Sequence, residues 1–105
     1  MTTVSSRSAQ LAASFERAND ALIAAIEGCS EQQLRAECAG EGWPVVVTAH
    51  HVALAYPAIA GLVQAIATGQ PLPPLTAQQL DSMNAQHAQE WANVSREETV
   101  AVLRR

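Results

Sequence analysis

Between Glu41 and Asp81 the chain carries no Asp, Glu, Lys or Arg, and within that stretch Val45 to Ala67 is apolar on almost every side. A helix of this composition has no face to give to water, so other elements or lipid must cover it. About 20 apolar residues suffice to cross a bilayer, which makes a membrane span the sharp alternative. The adjacent His50 and His51, with Pro57 and Gln64, are costly in lipid, and no arginine flanks the segment to anchor it. The preferred reading is therefore the central helix of a bundle, with no membrane partner. Pro44 suits its first turn, where a missing amide proton costs nothing, and Pro57 is expected to kink it near Ala53. Gly69 ends it.

A chain of 105 residues, 21 of them Ala and few aromatic, favours one closely packed all-α domain spanning residues 1–105. From about Ser6 to Glu27, Leu11, Phe15, Leu22 and Ile26 share one stripe of a first helix, which Gly28 stops. Ser30 and Gln33 form a capping box for a short second helix, and Ala39 to Gly42 is a turn. After a stiff Gln70–Pro74 connector, Thr76 and Gln79 cap a third long helix ending near Asn93, with a Leu75–Leu80 staple. Its stripe is Leu80, Met83, His87, Trp91 and Val94. Ser95 and Glu98 cap a last short helix bearing Val100 and Leu103.

The charge pattern excludes several functions. All six basic residues are Arg, so neither a Schiff-base lysine nor a P-loop lysine exists. The net charge is −4 and the arginines are scattered apart from Arg104–Arg105, leaving no stripe to neutralise phosphates, so no nucleic-acid partner is expected. Met1 to Gln10 has no apolar signal core, which makes the cytoplasm the expected compartment. Cys29 and Cys38, without a CxxC spacing, are expected to be reduced packing residues.

Histidine is the residue with most chemistry on offer. His51 follows Val47 and precedes Leu54 on one face and is expected to point into the bundle; a lone histidine there is commonly a core imidazole with one partner. His50 lies 100° away and is assigned to a different interface. His87 sits in an apolar stripe, and facing helices can join two such imidazoles, the commonest ligand type for zinc or nickel. Two ligands alone do not make a site. Asp81 and Glu90 lie off the stripe, which leaves a paired-carboxylate mechanism without support. Trp43 and Trp91 are expected to be packing anchors.

The stretch Gly42-Trp43-Pro44-Val45-Val46-Val47-Thr48-Ala49-His50-His51 resembles the start of the second helix in the DinB-like superfamily, which includes the mycothiol-dependent maleylpyruvate isomerase N-terminal domain. There a Gly-Trp pair, a small cap, a branched residue and a histidine eight positions after the Trp recur. Asp81-Ser82-Met83-Asn84 and Ser95-Arg96-Glu97-Glu98 are similar to its third helix and the start of its fourth. The resemblance implies a DinB-like up-and-down four-helix bundle, with a divalent metal on three ligands and open positions for water or a small thiol cofactor. Only the first ligand carries over, onto His51. The family's other two come from a last helix, which is expected to be cut short in this chain, so zinc or nickel is expected to bind weakly or not at all. Two functions remain open on this reading. One is a metal-binding domain related to thiol-dependent transferases or hydrolases. The other is a non-catalytic helical module that forms a homodimer or binds a small apolar molecule in the gap beside the short helix.

Overall fold

The computed structural model describes residues 6–72 and 74–105, among which five helices form an all-α bundle. They are α1 (Ser6–Gly28), α2 (Glu31–Arg35), α3 (Val45–Ala67), α4 (Ala77–Glu90) and α5 (Arg96–Leu103). The four longer helices, α1, α3, α4 and α5, make the expected all-α bundle, and α5 is the shortest of them. The expected Gln70–Pro74 connector includes Pro73, which lies outside the described residues, as do residues 1–5 of the polar N-terminus.

Local chemistry sets the helix boundaries. The side chains of Ser30, Thr76 and Ser95 each accept a hydrogen bond from the backbone N–H three residues on, and the side chains of Gln33, Gln79 and Glu98 each accept one from the backbone N–H of the cap. Each cap is worth about 1 kcal/mol. Gly42 and Gly69 have φ of 71° and 72°, a left-handed conformation that glycine adopts without steric cost, and they turn the chain into and out of α3. Pro44 caps α3 from outside instead of entering its first turn. The α4 helix stops at Glu90, short of Asn93, because Trp91 serves as its C-cap and the chain turns there towards Ser95.

The core lies at one end of the bundle, here called the proximal end. It joins Ile23 and Ile26 of α1, Leu34 of α2, Val46, Val47, Ala49 and Ala53 of α3, Val94, and Val100 and Leu103 of α5. Three arginines tie this end together. Arg35 donates to the carbonyls of Ala92 and Val94, Arg96 to that of Cys29, and Arg104 pairs with Glu27 at 2.7 Å. The first two satisfy carbonyls at chain turns; the Arg104 pair is exposed and adds little. The Asn19 side chain donates to the carbonyl of Leu103 and accepts from the Tyr56 hydroxyl, both at 2.8 Å, linking α1, α3 and α5.

Two expected stripes are only half used. Leu11 and Phe15 of α1 and Leu80 and Met83 of α4 are exposed, whereas Ile26, Trp91 and Val94 from the same stripes pack proximally. The reason is length: α3 spans about 35 Å and α5 only about 12 Å. The amphipathic faces continue past the helix that would cover them. Leu103 is 2% exposed at the junction of α5 with the core, so Leu103→Ala is expected to lower the unfolding free energy by about 2–5 kcal/mol. Urea denaturation followed by circular dichroism measures this, and a loss under about 1 kcal/mol would mean that α5 is not docked.

Candidate functional site

Three imidazoles meet where the N-terminal half of α3 faces the last turn of α4. His87 is central, with its ring centroid 5.5 Å from that of His50, nearly parallel, and 4.8 Å from that of His51, edge-on. Trp91 closes the far side of His50 at 4.6 Å, and Trp43 stands edge-on to His51 at 5.4 Å. Both tryptophans thus pack as anchors, and what they pack against is the histidine cluster.

The structure corrects the sequence reading of these residues at one point. His50, expected at another interface, is the core histidine, 1% exposed, while His51 is half-buried. The buried face of α3 runs through Val46, Val47, Ala49, His50 and Ala53, so it takes in the expected Val47 but turns His50 inward in place of His51 and Leu54. On a helix that is apolar all round, hydrophobic periodicity has nothing to select between these faces.

Burial lowers the proton affinity of both inner rings. For His50, desolvation pushes the pKa below the ordinary histidine value, the charge of Glu98 opposes this, and His51 adds a smaller lowering. For His87, desolvation again leads, His51 and His50 add to it, and Glu90 opposes. The Glu98 carboxylate also accepts a hydrogen bond from the Ser95 N–H. The inner rings are therefore neutral at pH 7, and each then carries one N–H and one lone pair. Among the described residues, Nδ1 of His50 and Nε2 of His87 are buried without a hydrogen-bond partner. Such an atom costs about 1–3 kcal/mol.

Orphaned nitrogens on neutral imidazoles are suitable donors for zinc or nickel. Number is the obstacle. Among the described residues no group of three or more His, Cys, Asp or Glu is arranged to hold a metal ion. The cluster fits a divalent ion in kind of donor but does not make a complete centre. Cys38 is near α3 but engages Thr48 at 3.5 Å, and Cys29 is likewise a free thiol.

A bundle of this order, with a histidine eight residues after a Gly-Trp pair, was the expected family pattern, and a family model of the DinB superfamily matches residues 14–105. The chain belongs to the DinB superfamily. No curated protein and no solved structure matches it. Membership in the DinB superfamily accounts for the helix order and for the position of His51, and leaves activity to be argued from the residues.

The depressed proton affinities of His50 and His87 give stability a pH dependence of definite sign. Below about pH 6.5 the unfolded chain takes up protons that the folded chain resists, so stability is full above that value and is lost as pH falls through the lowered folded values. The urea midpoint is expected to fall between about pH 7.5 and pH 5.5, and to fall less in His50→Gln. Equal slopes in the two proteins would exclude His50 as a source.

Proposed function

We propose that this DinB-superfamily domain takes up a divalent cation, zinc or nickel, weakly and exchangeably at the α3–α4 histidine cluster, with His51 as a ligand. The observation that supports this reading is the pair of buried imidazole nitrogens without partners, on His50 and His87, beside a half-buried third imidazole. Metal ligands must be deprotonated, and burial already keeps the inner rings neutral. His51, like His87, is half-buried and so combines a place in the cluster with access from solvent. Affinity is low because stable zinc sites use three or four protein ligands. A thiol-dependent transferase or hydrolase activity, as in relatives of the family, requires more than these residues supply.

A second reading, a non-catalytic module, draws on the opposite end of the molecule. There a groove of about 630 Å³ between α1 and α3 is lined by apolar side chains and by Tyr56 and Gln64.

Equilibrium dialysis of the full chain against zinc or nickel, followed by elemental analysis, tests the ion. Uptake is expected to rise with free ion, to drop in His51→Ala, and to leave well under one ion per chain after gel filtration. Near one ion per chain retained through gel filtration, and lost in His51→Ala, would mean a complete centre and favour an enzyme. No uptake at millimolar ion, or uptake unchanged in His51→Ala, would remove the ion from this cluster.

A further inference from the structure

A histidine that binds a metal normally gives its second ring nitrogen to a carboxylate, a carbonyl or water, which fixes how the ring is turned. Among the described residues neither nitrogen of His51 makes a hydrogen bond. Its ring instead meets two others, with centroids 5.4 Å away at 81° for Trp43 and 4.8 Å away at 60° for His87. These neighbours differ in how they are themselves held. His87 sits on the facing helix with a buried nitrogen of its own unsatisfied. Trp43 stands on a cross-linked loop. Its carbonyl accepts from the Cys38 N–H at 2.8 Å, the Gly42 N–H donates to the Cys38 carbonyl at 2.9 Å, and the Val45 N–H donates to the Ala36 carbonyl at 2.9 Å, so backbone bonds lie on both sides of the indole. Glu37 and Pro44 pair across the loop, and Cys38 Sγ meets Thr48 Oγ1 of α3 at 3.5 Å. The indole itself is half-buried against the core. Side chains on a helix lean towards its N-terminus, and His51, on the second turn of α3, therefore leans back towards Trp43.

We propose that Trp43 is the positioning residue of the cation cluster: its edge contact holds the His51 ring in one rotamer, the task that a hydrogen-bonding partner performs in other metal sites, and leaves a ring nitrogen free for the ion. The proposal rests on the cation reading above. An edge-to-face aromatic pair shifts an equilibrium by a factor of about 2–10, enough to matter for a ligand that is otherwise free to turn. A packing anchor needs only apolar volume, whereas this role needs an aromatic face. Leucine supplies the first without the second, and phenylalanine keeps both.

Two measurements on the full chain test the assignment in Trp43→Leu and Trp43→Phe, at a urea-free pH 7.5 where circular dichroism shows each variant folded. In the apo protein, three-bond NMR couplings across the first side-chain torsion of His51 are expected to report one rotamer in the wild type and in Trp43→Phe, and averaging in Trp43→Leu. Equilibrium dialysis against zinc is expected to give an affinity lowered about threefold to tenfold in Trp43→Leu and changed less than about twofold in Trp43→Phe. Averaged couplings in the wild type would overturn the proposal, as would a single rotamer and full zinc affinity in Trp43→Leu. Loss of affinity in both variants with unchanged couplings would reduce Trp43 to a packing anchor and overturn it too. Zinc uptake that depends on His51 but not on Trp43 would remove this role and leave the cation reading standing, whereas no uptake by the wild type would remove both.

Discussion

An eight-residue helix packed on the first half of a 23-residue one divides this molecule into two ends. Wherever α5 reaches, side chains are sealed: Leu34, Val46, Val47, His50, Thr99 and Leu103 are the largest fully buried ones, and all lie at the proximal end. The Tyr56–Asn19–Leu103 chain of hydrogen bonds marks the border. Past it Leu11 and Phe15 of α1, Ile59 and Val63 of α3, and Leu80 and Met83 of α4 are exposed. The mismatch in length leaves hydrophobic residues beyond Tyr56 exposed, whereas the histidine cluster is set by the contact of α3 with α4.

Packing alone does not account for a histidine at position 50. A leucine there would occupy similar volume and leave no polar atom unpaired, and replacing buried polar groups by apolar ones of like shape is often neutral or stabilising. The imidazole instead brings a flat ring that stacks on His87 and packs tilted against Trp91, together with a nitrogen that has no hydrogen-bond partner among the described residues. That unpaired nitrogen, with the one on His87 across the helix interface, is the observation on which the proposed cation uptake rests. The incomplete donor count limits what such an arrangement can hold. It does not change the kind of atom it offers.

The sequence was legible where structure is local. Ser30, Thr76 and Ser95 announced three helix starts because a capping box is a bargain between residues three apart, and Gly42 and Gly69 stand at turns that need positive φ. The order of elements and the family resemblance were legible for the same reason. What could not be read was which face of α3 turns inward, because Val45 to Ala67 offers apolar residues in every direction and the choice belongs to α5, more than forty residues away. The candidate site inherits that limit: the histidines were visible as residues, but His50 and His51 exchange the roles of core and rim once the register is known. The α1 and α4 stripes failed in the opposite way. Their periodicity was correct, but how far a stripe is covered depends on the length of its neighbour.

Pro57 stands at the boundary between the two ends. It has no N–H to give to the carbonyl of Ala53, the last buried residue of α3, so the helical hydrogen-bond ladder loses a rung where the covered half gives way to the open half. The helix runs through this point without interruption, yet this is where it bends most easily. Val102 and Arg105 of the chain's last turns sit against Ala53, Leu54 and Pro57 around a small hollow, so a change of direction there meets the end of α5 and not the histidine stack. The distal half of α3 can therefore adjust its angle to whatever covers it while Val46, Ala49 and His50 keep their places.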